Sequence, residues 1–193
     1  ITRSATLFLY KNIFSLLLAI FSIVASFEYP LEPTQVSLIS MFNVGVPAFL
    51  LALEPNEGRQ KGRFIRRTLF KSLPAALTSF FAIMFLVLFS VLFEVPKSDI
   101  GTASTYLLSV VGFLILIDMI KPLNKYHIMV FVICVLGFIV GCNYFYHLFD
   151  IQNISLKAGS LCALFAIAEI SVMRNLTFLM KKLDKIKIVK EKD

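Results

Sequence analysis

Charged side chains are scarce in this chain: Asp, Glu, Lys and Arg make up 16% of its 193 residues, against 58% hydrophobic ones, with a mean hydropathy of +0.83. That composition excludes a soluble domain of this length and defines a polytopic membrane protein. Cysteine is limited to Cys134, Cys142 and Cys162, an odd number inside apolar stretches without metal-ligand spacing, so they read as small buried apolar residues. A glycine-rich phosphate loop is absent, and so is any loop long enough to fold as a domain. No signal peptide precedes the first apolar stretch, which can insert by itself. Basic residues are nearly missing from one side of the chain's connections, and that scarcity sets its orientation.

Six stretches reach the roughly 20 apolar residues that a hydrocarbon core of about 30 Å requires. They are 7–27, 34–53, 73–93, 103–120, 128–149 and 156–176, with Pro74 and Pro96 flanking the third, and they predict an all-α, six-helix transmembrane bundle. Short connections favour antiparallel neighbours. Seventeen of the 19 Lys and Arg fall on one side: Arg3, Lys11, the loop from Arg59 to Lys71, Lys121, Lys125, Arg174 and the basic tail 177–193. Only Lys97 and Lys157 fall on the other, where Glu28, Glu32, Glu94, Asp99 and Asp150 collect. The positive-inside rule therefore makes both termini cytoplasmic. It also accounts for the net charge of +7 without a nucleic-acid partner, and none is expected. The loop and tail are suited to anionic lipid of the bilayer.

The second stretch carries a helix breaker at its centre, Gly45 and Pro47. Pro47 has no N–H to offer the Asn43 carbonyl, and Gly45 lets the backbone open beside it. Freed carbonyls at mid-depth persist only where protein or a wet cavity receives them, and transporter ion sites are built from such breaks. Ser40 and Asn43 share a helix face with Val44, and in the first stretch Asn12 and Ser15 are similarly spaced, so two polar faces of adjacent helices can meet. Each of these side chains has an ordinary alternative use as an interhelical hydrogen-bond partner, and the break an alternative as a packing kink. Asp118 and Glu169 are the acids inside spans. Asp118 has Lys121 at i+3 for an interfacial pair, whereas Glu169 has no partner on its own helix and either holds the last helix to the bundle or exchanges protons. Lys11 snorkels towards headgroups, with an internal counter-charge as the alternative. Tyr126, His127, Tyr144, Tyr146 and His147, at span ends, read as interfacial anchors.

The order Asn12, Pro33-Thr34-Gln35, Asn43-Val44-Gly45-Val46-Pro47-Ala48 and Leu51-Ala52-Leu53-Glu54-Pro55-Asn56 resembles the fifth and sixth membrane helices of P-type cation-transporting ATPases. The basic loop that follows is similar too, and Leu116-Ile117-Asp118-Met119 with Leu123-Asn124 resembles the eighth-helix pattern Ile-Glu-Met followed by Leu-Asn. The likeness would make the whole chain the fifth to tenth helices, and it is specific over the first two spans. It implies a cation site. Asn12 matches an asparagine that coordinates the ion, Ser15 stands where calcium pumps have a glutamate, and Ser40 replaces an asparagine. Asn43 replaces a threonine, Val44 the shared aspartate, and Asp118 takes a carboxylate position. Two carboxylates of the calcium-type site are thus missing, and an oxygen cage so poor in charge favours a weakly hydrated or singly charged ion.

The resemblance also implies a multi-pass protein of the cell membrane and partners outside this chain. These are the transported cation and the N-terminal actuator, phosphorylation and nucleotide-binding domains, with ATP and Mg²⁺ bound there. No Asp-Lys-Thr-Gly motif is present, and Asp184-Lys185 continues as Ile186-Lys187, so the chain holds no catalytic residues or cofactor of its own. It is expected to be a fragment that starts inside a longer protein. The competing reading is a free-standing six-span secondary carrier, channel or accessory subunit. A carrier would repeat the broken helix in its other half, and no such repeat is visible.

Overall fold

A computed structural model describes residues 2–54 and 64–190, the side chains of 184–190 excepted. The basic-loop residues Arg59, Lys61 and Arg63 and the end of the tail lie outside the described side chains. Among the described residues the structure is entirely helical: α1 (Thr2–Val24), α2 (Pro33–Ile39), a π-helical segment (Ser40–Gly45), α3 (Val46–Ala52), α4 (Phe64–Leu92), α5 (Lys97–Met119), α6 (Lys125–Tyr144) and α7 (Leu156–Lys190). With α2, the π segment and α3 taken as one span, six helices are long and apolar enough to cross a membrane. The chain is a multi-pass helical membrane protein.

Two boundaries differ from the sequence reading for physical reasons. Pro74 lies inside α4 rather than beside it, because α4 begins at Phe64. A proline removes one backbone donor, and a helix packed among neighbours tolerates that loss. The Thr78 hydroxyl adds a bond to the Pro74 carbonyl at 2.8 Å, on the turn that follows the lost donor. At the other end, α7 continues as helix to Lys190, so the start of the basic tail extends the last helix instead of leaving it.

Three of the turns at the acid-rich end close alike. Ser26, Glu94 and Asp150 take left-handed backbone conformations, and the next N–H bonds back five residues, Phe27 to Ser22, Val95 to Ser90 and Ile151 to Tyr146, at 2.9–3.0 Å. These are Schellman-type closures made without glycine. The main core gathers Leu7, Tyr10, Phe14 and Leu18 of α1 with residues of the second span, α4, α5 and α6; a second cluster joins α4, α5 and α7 around Leu86, Leu107 and Leu161.

At the basic end the helices are tied by charge. Arg3 Nη1 lies 2.7 Å from Glu54 Oε2, and His127 Nε2 lies 2.9 Å from the same oxygen. His127 Nδ1 faces the Pro122 carbonyl at 2.8 Å. His127 Nε2 also lies 3.2 Å from Arg3 Nη1, so the ring links the guanidinium, the carboxylate and the loop carbonyl. His127 is not an interfacial anchor: it is buried, and Tyr126 beside it donates to the Leu50 carbonyl. The hydrogen bond from His127, reinforced by Arg3 against the cost of burial, holds the Glu54 carboxyl below the usual carboxylate range.

Candidate cation-binding site

The second span does not unwind at Gly45 and Pro47; it widens. The Val46 N–H reaches the Met41 carbonyl, an i to i−5 bond, before α-helical bonding resumes. In an α-helix the ring of Pro47 would press on the Asn43 carbonyl, and the wider π turn relieves that contact. Because Pro47 still supplies no N–H, the turn leaves a carbonyl of the Phe42–Val44 stretch without an intrahelical donor. The break forecast as an opening is a π segment, a form that recurs at functional sites.

Asn43 is the best-defined polar group of this segment. It is 0% exposed, and its Nδ2 donates to the Ser109 carbonyl of α5 at 3.2 Å. Its Oδ1 is buried with no hydrogen-bond partner. An amide oxygen left without a donor at this depth costs about 1–3 kcal/mol, so Asn43 Oδ1 is an acceptor open to an electropositive partner. Glycine creates the room: a Cβ on Gly112 would stand 1.9 Å from Asn43 Nδ2. Gly137 and Gly141 of α6 make similar notches for Phe42 and Leu38, at 2.2 and 2.6 Å. The second span is thus gripped along two helices by positions that admit no side chain.

The other residues singled out by sequence are not all brought to Asn43. The Ser40 hydroxyl donates back to the Val36 carbonyl, and Ser40 is half-buried. Ser15 is half-buried as well. Asn12 lies on the exposed face of α1 with Phe8, Leu16 and Ile20, opposite the face that buries Tyr10 and Phe14. Asp118 sits at the basic end, 3.5 Å from Lys121 and partly exposed. From Ser109 and Gly112, beside Asn43, Asp118 is six to nine residues further along α5, about 9–14 Å at 1.5 Å per residue.

Sequence reasoning passed over Tyr10, Gln35 and Ser79. The Tyr10 hydroxyl lies 3.1 Å from Ser79 Oγ and donates to the Leu108 carbonyl at 3.3 Å. Its signal was faint, since a Tyr in a helical apolar stripe reads as core. Gln35, 2% exposed, donates to the Asp150 carbonyl at 2.9 Å. It borders a cavity of about 710 Å³ at the acid-rich end, lined also by Glu28, Glu32, Glu94 and Asp150. Among the described residues no group of three or more His, Cys, Asp or Glu is placed to hold a metal ion.

Comparison with known proteins gives consistent relatives. No family model matches the chain. It is 30% identical over 147 residues to "Probable cation-transporting ATPase exp7" of Streptococcus pneumoniae, covering 72% of this chain and 19% of that protein. It is 27% identical over 154 residues to "Calcium-transporting ATPase CtpE" of Mycolicibacterium smegmatis, covering 72% of this chain and 20% of the relative. The protein of the same name from Mycobacterium tuberculosis is 34% identical over 87 residues, 40% of this chain and 11% of its own. The chain spans about a fifth of the length of the first two relatives.

Proposed function

We propose that this chain is the cation-translocating membrane domain of an ATP-driven P-type pump, corresponding to its fifth to tenth membrane helices. The observation that carries the reading is the Asn43 amide oxygen, fully buried and without a partner on a π turn at the centre of a span. Similarity over 72% of the chain to ATPases named for cation and calcium transport supports the same class. In this reading the ion is held by Asn43 Oδ1 and the freed carbonyl of the π segment, with the Ser40 and Ser15 hydroxyls as further oxygens. Asn12 faces away from Asn43 and joins the set only through helices contributed by the rest of the pump. Asp118, near the basic end, draws cations to the entrance.

The remaining four-fifths of such a pump supply the actuator, phosphorylation and nucleotide-binding domains, where ATP and Mg²⁺ bind and an aspartyl phosphate forms. Phosphorylation then switches which side of the membrane the site faces. The acidic cavity above Gln35 serves as the outer mouth. Gln35 is eight residues from Asn43, about 12 Å along the helix, and the carboxylates around the cavity concentrate cations there.

The test is ATPase activity of the intact gene product measured across K⁺, Na⁺, Mg²⁺, Ca²⁺ and Mn²⁺. One of these ions should stimulate turnover, and Asn43→Ala should abolish that stimulation or raise the half-saturating concentration at least tenfold. Stimulation unchanged in both Asn43→Ala and Asn12→Ala refutes the site.

A further inference from the structure

The Asn43 layer continues beyond Asn43. Ser79, Leu108, Ser109 and Glu169 each lie within one residue of the centre of their own spans, as Asn43 does. Consecutive carbonyls of α5 join the two sides: Ser109 accepts from Asn43, and Leu108 accepts from Tyr10. Tyr10 then meets Ser79 of α4.

Glu169 stands at the far end of this string. The buried residues of α7 recur at helical spacing, Ala158, Leu161, Cys162, Glu169 and Met173, so the acid falls on the seam that packs against α4 and α5. Glu169 is 2% exposed, and neither carboxyl oxygen has a hydrogen-bond partner. The Tyr10 phenol of α1, held to Ser79 and to the Leu108 carbonyl, is tied to the mid-span level at which Glu169 lies. Ser79 is what α4 presents at this level; α5 presents the Leu108 carbonyl and, beyond Cys162, Tyr106. Among the described residues no basic side chain pairs with Glu169: Arg174, five residues on, is exposed, and Lys71 of α4 lies eight residues from Ser79, about 12 Å towards the basic end. A carboxylate in this position without a counter-charge costs several kcal/mol.

We infer that Glu169, with the Tyr10 and Ser79 hydroxyls, forms a second cation-accepting position, separate from Asn43, that takes one small monovalent cation, H⁺ or Na⁺. One carboxylate among neutral oxygens balances a single positive charge, whereas a divalent ion would leave net charge at mid-depth. A proton adds to a carboxyl oxygen and turns it into a donor towards the neighbouring hydroxyls; Na⁺ would instead be coordinated by those same oxygens. The inference rests on burial and hydrogen bonding alone and requires no ATP hydrolysis, so it stands or falls apart from the pump reading.

The experiment uses the intact gene product in lipid vesicles without ATP, comparing wild type, Glu169→Gln and Tyr10→Phe by infrared spectroscopy and by ²²Na⁺ binding. If the occupant is a proton, wild type shows the carbonyl band of a buried protonated carboxyl. That band is lost in Glu169→Gln and shifted in Tyr10→Phe. If the occupant is Na⁺, wild type binds one ²²Na⁺ per chain and Glu169→Gln loses at least tenfold in affinity. Should Glu169→Gln fail to fold, Tyr10→Phe reads either arm, through the band shift or a severalfold weaker ²²Na⁺ affinity. A wild type with neither the band nor ²²Na⁺ binding, or variants that match it in both, overturns the assignment.

Discussion

Gly112→Ala is the sharpest test of whether Asn43 is held where a site requires it. The added Cβ would meet Asn43 Nδ2 at 1.9 Å, its Cγ at 2.7 Å and its Cβ at 3.0 Å. Ordinary contact begins near 3.4 Å, so the asparagine must retreat by more than an ångström, which breaks its 3.2 Å bond to the Ser109 carbonyl. Overpacking of this kind costs about 1–3 kcal/mol, and the lost hydrogen bond about 1 kcal/mol. Replacing glycine by alanine inside a helix returns about 0.5–1 kcal/mol. The net is a destabilisation of about 1–3 kcal/mol, together with loss of ion-stimulated turnover in the intact protein. Gly45→Ala is the control, because a Cβ there meets only the Ser40 carbonyl at 3.4 Å; it should be neutral or slightly stabilising. Both are read by thermal unfolding in detergent and by ion titration of ATPase activity. If Gly112→Ala is as stable as Gly45→Ala and keeps its ion dependence, Asn43 is not fixed by α5 and the argument from its unpaired oxygen fails.

Other outcomes follow from the same geometry. Asp118→Asn should raise the half-saturating ion concentration a fewfold and leave maximal turnover intact, since Asp118 lies at the basic end, paired with Lys121, and the proposed reading makes that end the entrance; abolished stimulation would move it into the site. The Arg3–Glu54–His127 tie should respond to acid in one direction. Glu54 titrates below its usual 4.5 in the folded protein, so its contribution is fully present above that pH and is lost as pH falls through the folded value. Glu54→Gln should therefore cost about 1 kcal/mol near neutrality and nothing in strong acid, by unfolding at a series of pH values. Equal cost at both ends of the series would show that the charge contributes nothing. Gly137→Ala, whose Cβ would meet Phe42 Cε1 at 2.2 Å, should destabilise less than Gly112→Ala, because the half-buried Phe42 ring can turn aside whereas the fully buried Asn43 cannot; a larger loss than in Gly112→Ala would show that the ring is fixed.

Summed hydropathy made much of this fold readable. Span number and order depend on it, and it is additive along the chain. Boundaries set by local hydrogen bonding were less legible. Pro74 looked like an end because proline breaks isolated helices, but inside a bundle the lost donor is tolerated. The turns at Ser26, Glu94 and Asp150 lack the glycine that announces a left-handed cap. The buried ion tie of His127 was hidden because its partners come from Arg3 and Glu54, and contacts so distant in sequence leave no local pattern.

The site was legible as a position but not as a direction. Sequence spacing placed Asn12 and Asn43 near mid-depth, and each lies within about one residue of the centre of its own helical span. Which way each side chain turns depends on which neighbour offers a notch. Gly112 offers one to Asn43, while the apolar face of α1 that carries Tyr10 and Phe14 wins the core and leaves Asn12 outside. Burial of about 1.5–3 kcal/mol for each large apolar side chain decides such a contest against one amide. The polar layer at mid-depth is therefore built from residues that the apolar stripes carry inward. Tyr10 and Glu169 are among them because each lies on its helix's buried seam. Where a seam accepts a polar group its oxygens compete for few partners, and the two proposed readings assign an occupant to the unpaired oxygens of Asn43 and Glu169.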